Sequence, residues 1–252
     1  MDKKNIRKSI NDFYDEIAKD ERKVTGDIDK LNKSLGYTEE DLKDIPEEAQ
    51  LGLGCGNPKE KGKPKSGEIV ADLGSGRGMD VFLAAKSVGE EGFVIGIDNN
   101  PRMIEKARDI VHKKDFKNVE FRLGEIEYIP VRDNYLDLLI SNCVINLSTD
   151  KEQVYSDIYR VLKHNGRISI SDIILKKDLP DEIKKDPNVH GTWVGGAISL
   201  EEIKEILVNI GFKDINIKLN EVTDEYARKW GYGLKIKEYI GRGEILAYKW
   251  WK

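Results

Sequence analysis

The sequence predicts an α/β fold: a doubly wound parallel sheet with helices on both faces. Three observations predict it. Short strand-like runs recur at 69–73, 93–97, 119–123, 136–140 and 167–171. Segments with helical spacing of apolar residues separate them, the pattern of a parallel sheet. A glycine-rich turn follows the first run at once, at the strand-to-helix junction where such sheets bring backbone close to a ligand.

Residues 1–50 are polar and read as an N-terminal helical cap. Phe13, Tyr14 and Ile17 form one short apolar face. Thr38 opens Thr-Glu-Glu-Asp, an N-cap with acids in the first turn, and Pro46 stops that helix. Leu51-Gly-Leu-Gly-Cys-Gly-Asn-Pro58 is a loop, because Gly and Pro alternate through it. With 59–68, which reads as a lysine-rich exposed linker, it forms a unit over 51–68.

The core spans 69–212. Its strands are Ile69–Leu73, Phe93–Ile97, Val119–Leu123, Leu136–Ile140 and Arg167–Ser171. Its helices are Val81–Val88, a second carrying Met103, Ile104, Ala107, Ile110 and Val111, and a third marked by Val154, Ile158 and Leu162. Ser199-Leu-Glu-Glu202 is a capping box opening a fourth, which buries Leu200, Ile203, Leu207 and Ile210 and ends at Gly211. Residues 213–252 form a small C-terminal α+β region, with strands at 212–219 and 243–251. Packing within it accounts for Trp230, Trp250 and Trp251.

Composition narrows the function. The chain has 252 residues, 35% of them charged, against a usual ~25%. The net charge of −4 provides no broad positive field to draw in nucleic acid. No apolar stretch approaches the ~20 residues of a membrane span. Met1–Asp20 is charged throughout and lacks the apolar core of a signal peptide, so a cytoplasmic location is expected. Two cysteines, Cys55 and Cys143, are too few for a disulfide framework or a four-thiolate zinc site.

Asp72-Leu-Gly-Ser-Gly-Arg-Gly78 is the glycine turn. Its spacing is not the Gly-x-Gly-x-x-Gly of dinucleotide binders. Asp98 ends the second strand 20 residues after Gly78, where a carboxylate can accept both hydroxyls of a ribose. Glu125-Ile126 follows the third strand, where a polar group and an apolar side chain can flank an adenine ring. These residues stand at the carboxyl ends of consecutive strands, the ligand edge of an open sheet. The ordered set resembles the class I S-adenosylmethionine-dependent methyltransferases, with their Rossmann-like sheet.

Cys55 lies in the glycine loop and Cys143 in Ser141-Asn-Cys-Val-Ile-Asn-Leu147, just past the fourth strand. Read from spacing alone, they are either small buried hydrophobes or a pair at one mouth. The phrases 51–58, DLGSGRGMDVFLAA (72–85), FRLGEIEYIPV (121–131), SNCVINLS (141–148) and RVLKHNGRISISDI (160–173) resemble the arsenite methyltransferase family over about 30–212. The resemblance implies methyl transfer from S-adenosylmethionine to trivalent arsenic, with Cys55 and Cys143 as the arsenic ligands. It implies a cofactor site of Asp72, Gly74, Ser75, Gly76, Asp98, Asn99, Met103, Gly124, Glu125, Ile126 and Asn142, with Tyr14 covering the methionine end. An external thiol such as glutathione or thioredoxin is the implied partner.

The chain departs from the family twice. A further cysteine is replaced by Trp193 in His190-Gly-Thr-Trp-Val-Gly-Gly-Ala197, and the N-terminal cysteines of many members are missing. Trp193 and Gly195 are then expected to shape the substrate pocket. With two thiolates, one arsenic position stays open, so a methylated or dithiol-bound arsenical is expected to outperform free arsenite. The competing readings are another small-molecule substrate in a pocket reshaped by Trp193, with His190 as base or surface residue, and a non-catalytic S-adenosylmethionine-binding protein.

Overall fold

The computed structural model describes residues 3–20, 27–43, 45–184, 194–230 and 234–250. His190, Trp193 and Trp251 lie outside them, as does the side chain of Trp230.

Seven strands form one sheet in the order β3-β2-β1-β4-β5-β7-β6. They are β1 (Ile69–Leu73), β2 (Phe93–Asp98), β3 (Val119–Leu123), β4 (Leu136–Asn142), β5 (Leu162–Leu175), β6 (Lys213–Asn220) and β7 (Ile240–Tyr248). The first five pair in parallel, whereas β7 runs antiparallel to both β5 and β6. The main helices are α1 (Lys3–Ala18), α2 (Ile28–Ser34), α3 (Glu39–Lys43), α4 (Pro58–Gly62), α5 (Met79–Val88), α6 (Pro101–Lys114), α7 (Lys151–Val161), α8 (Leu200–Ile210) and α9 (Asp224–Trp230); a further helical turn spans Asp181–Lys184.

Alternation along the strands divides the core in two. Val70, Val94, Leu138 and Ile140 pack with Phe82 of α5 and Ile104 and Ala107 of α6. Ala71, Leu73, Ile95 and Leu139 face the other way, toward Val154 and Ile158 of α7 and Ile203 and Leu207 of α8. This is the doubly wound arrangement expected of strands buried on both faces. The Ser199–Glu202 capping box forms, and Gly211 ends α8 at φ +116°.

Two expectations are corrected. The lysine-rich stretch is not simply an exposed linker: Asn57 accepts the Glu60 amide, Pro58 takes the first turn, and α4 forms. The buried Pro58 and Gly62 lie on the sheet, with the Ser169 hydroxyl donating to the Pro58 carbonyl at 2.7 Å. The lysine density marks only the outer side of that turn. Leu162 belongs to the fifth strand rather than to α7, and that strand runs from 162 to 175 because β7 pairs along Arg167–Leu175.

Candidate active site

A cavity opens at the carboxyl ends of β1, β2 and β4, beneath α1. Asp72 and the turn Gly74-Ser75-Gly76 form its floor, Asp98, Asn99 and Met103 one wall, and Asn142, Cys143 and Val144 the opposite one. Glu125 and Ile126 line it from beyond β3, and Tyr14 of α1 lines it from above.

The turn folds over the end of β2, with the amides of Gly74 and Ser75 both donating to the Ile97 carbonyl. Gly74 and Gly78 are glycine for space as well as for positive φ. A Cβ on Gly74 would fall 2.5 Å from Val144 Cγ2, and one on Gly78 2.5 Å from Phe121 Cζ. Gly76, at φ +52°, is different: a Cβ there would meet only Leu51 Cδ1 at 3.6 Å, an ordinary van der Waals contact, so the backbone conformation rather than space calls for glycine. The Gly76 amide donates to Asp98 Oδ2 and the Asn100 amide to Asp98 Oδ1, each at 2.9 Å, which fixes that carboxylate at the cavity wall.

Three acids give the site its electrostatic character. Burial pushes Asp72 well above the usual aspartate range, and the nearby Asp80 and Asp98 push it further. Burial likewise raises Asp80 and Asp98. No ion pair among the described residues uses any of them. Such a wall favours a ligand that brings cationic groups and hydroxyl donors. The buried Ser75 hydroxyl lines the same cavity and has no hydrogen-bond partner among the described residues, so it is available to a ligand. S-adenosylmethionine, with a sulfonium, an ammonium and two ribose hydroxyls, fits this donor set.

Asn142 ties the cavity to the cysteine loop. Its Oδ1 accepts the amides of Cys55 (3.0 Å) and Gly56 (3.3 Å). Its Nδ2 donates to the Gly56 carbonyl, the Tyr37 hydroxyl and Asp80 Oδ2. The side-chain amide is thus engaged by the protein itself. A Cβ on Gly54 would fall 2.6 Å from it, so the loop needs glycine there.

Cys55 and Cys143 meet behind this clamp and are joined as a disulfide, with Cα atoms 5.8 Å apart, inside the range that admits the bond. Reduction of this bond would release the two thiols expected of the pair. Cys143 leaves β4 in a left-handed turn at φ +61°, its amide donating to the Ser171 carbonyl at 2.7 Å. A non-glycine residue in that conformation is costly and persists where surrounding structure enforces it. Cys143 lines the cavity, and Cys55 is fully buried behind Gly54. The buried Tyr226 hydroxyl lies 3.8 Å from Cys143 Sγ. Burial raises the carboxyl of Asp172, also beside the pair, to about 7 despite the amides of Ile173 and Asn146 and the charge of Lys151.

The methyltransferase-domain family model matches residues 64–211. The arsenite methyltransferase of Halobacterium salinarum is 43% identical over 218 residues, 86% of this chain and 56% of the relative. This chain belongs to the arsenite methyltransferase family. The human arsenite methyltransferase is 33% identical over 82% of this chain and 58% of its own length. The family member thus spans a little over half the length of these curated relatives. The crystal structure of an arsenic(III) S-adenosylmethionine methyltransferase from Chlamydomonas reinhardtii superposes with a TM-score of 0.64 at 30% identity, covering 88% of this chain and 73% of that one. The fold class read from the sequence is the one found.

Within this family member, most residues expected in the site line one cavity. Two do not. Gly124 packs against Pro130 behind the wall and gives its amide to the Asp98 carbonyl. Gly195 is exposed in a turn outside the cavity. Residues missed from sequence include Tyr37 and Asp80, joined by a 2.7 Å hydrogen bond. Also missed were Arg7, which donates to Glu127 across the mouth, and Asp172. Asp80 had a signal, as a second acid two residues past the glycine turn. Tyr37 had none, because only the fold brings it there.

Proposed function

We propose that this chain transfers a methyl group from S-adenosylmethionine to trivalent arsenic held by Cys55 and Cys143. One observation carries the reading: the cysteine pair and the acid-lined cavity share a wall. Cys143 lines the cavity, and the glycine turn packs directly on Val144, the next residue.

When bound, S-adenosylmethionine supplies an electrophilic methyl group on a cationic sulfur. Asp98 holds ribose hydroxyls, using lone pairs beyond those given to Gly76 and Asn100. Asp72 and Ser75 offer an anion and a hydroxyl from the floor. Glu125 and Ile126 flank the adenine, and Tyr14 covers the methionine end.

The cysteines do the substrate-binding work. An external dithiol first reduces their bond, becoming a disulfide itself and leaving two protein thiols. Trivalent arsenic is soft and prefers thiolate ligands, which lose their protons on binding. Arsenic keeps a lone pair, so methyl transfer would need no general base: the As–C bond would form as the methyl–sulfur bond breaks, with its electron pair leaving on sulfur in S-adenosylhomocysteine. The protein's contribution is then orientation. Asn142 serves this by fixing the Cys55 backbone against β4.

The test is arsenite binding by the reduced chain, measured by equilibrium dialysis. Cys55→Ser and Cys143→Ser each lose it while binding S-adenosylhomocysteine as the parent does. Retention of arsenite binding by both variants would contradict the reading.

A further inference from the structure

Behind the cysteine pair stands a carboxylate that no motif marks. Asp172 Oδ, Cys55 Sγ and Cys143 Sγ all lie within 4.8 Å of one another, and all three residues are buried. Backbone amides fix the carboxylate: Ile173 donates to Oδ1 at 2.8 Å and Asn146 to Oδ2 at 3.1 Å, and the Ile145 amide adds a further hydrogen bond. Each oxygen has two lone-pair directions, so three amides leave the carboxylate able to accept one more partner. The nearby Lys151 is held away by the carbonyls of Ser148 (3.0 Å) and Asn146 (3.5 Å). Tyr226 faces Cys143 from α9. The chain has no cysteine beyond these two, whereas trivalent arsenic takes three ligands.

We propose that Asp172 supplies the third ligand to the arsenical bound by Cys55 and Cys143, making a site of two sulfurs and one oxygen. The proposal rests on the reading of the cysteines as arsenic ligands. From arsenous acid, three As–OH bonds break while two As–S bonds and one As–O bond form. The two thiol protons and the carboxyl proton leave with the three hydroxides as three waters, and no electrons are exchanged. Inorganic arsenite then needs no external donor to complete its coordination, contrary to the expectation from cysteine count alone. An organoarsenical such as phenylarsine oxide already carries carbon in its third position and makes no use of Asp172.

The experiment titrates the full chain, reduced with a phosphine, with arsenite and separately with phenylarsine oxide. Bound arsenic is counted by mass spectrometry after dialysis. Asp172→Asn weakens arsenite binding at least tenfold and changes phenylarsine oxide binding less than twofold. Asp172→Glu, which keeps the carboxylate, recovers part of the arsenite affinity. Equal weakening of both arsenicals by Asp172→Asn, or of neither, overturns the proposal. Cys143→Ser separates the two claims: if it binds both arsenicals as the parent does, the cysteine reading itself fails.

Discussion

At the amino ends of the strands, Arg167 donates twice to Glu68 at 2.8 Å and once each to the carbonyls of Gly62 and Lys63. Burial alone would raise Glu68, but the guanidinium and the Lys65 amide hold its carboxyl below the usual glutamate range. At the carboxyl ends of the same sheet, the buried Asp72 and Asp80 and the partly buried Asp98 lie above the usual range. One end completes its charge within the chain. The other leaves its acids without ion-pair partners among the described residues. A fold has no stability reason to bury acids this way, so the difference points to the end where a ligand supplies the missing groups.

The comparison is broken most severely by Arg167→Met. It leaves the largely buried Glu68 without its cation and lowers unfolding free energy in urea by about 3–5 kcal/mol, whereas Asp72→Asn, which removes an acid the fold holds above its usual range, does not lower it at neutral pH. Next in size is ligand binding. Asp98→Asn weakens S-adenosylhomocysteine by about 1–3 kcal/mol in calorimetry, the scale of a lost charge-assisted hydrogen bond, and Arg167→Met leaves that affinity unchanged in the folded protein.

The pH dependence sharpens the contrast because the signs are opposite. Glu68 is depressed in the folded state, so its contribution is present above 4.5 and is lost as pH falls through the lower folded value. Asp72 is raised, so its contribution is present below 3.8 and is lost as pH rises through the higher folded value. Unfolding curves across pH therefore show Glu68→Gln flattening the acid-side rise in stability and Asp72→Asn flattening the decline above it. The smallest effect is Gly76→Ala. It costs about 1 kcal/mol of stability for a left-handed alanine, since the added methyl makes only an ordinary contact with Leu51 at 3.6 Å, but it intrudes on the cavity and weakens S-adenosylhomocysteine.

The ligand edge was largely legible because its signals are local in sequence. Asp72, the glycine turn and Asp98 each follow a strand, and strand ends of a parallel sheet converge. The cysteine phrases were legible through family resemblance. Their bonded state was not, because it depends on the Asn142 clamp and on the left-handed turn at Cys143, neither of which has a sequence pattern. Asp172 was hidden for a related reason. It sits inside β5, where Ile168, Ile170 and Ile173 dominate the reading, and only the pairing of β4 with β5 sets it beside Cys143. The turn at 58–62 was misread because lysines on its outer side concealed the buried Pro58 and Gly62.

The most direct test of the account is transfer of a labelled methyl group from S-adenosylmethionine to arsenite in excess dithiol, comparing the parent with Cys143→Ser. The parent yields labelled methylarsenic and Cys143→Ser none, with S-adenosylhomocysteine binding equal in the two. Full turnover by Cys143→Ser, or no labelled arsenic from the parent, contradicts it.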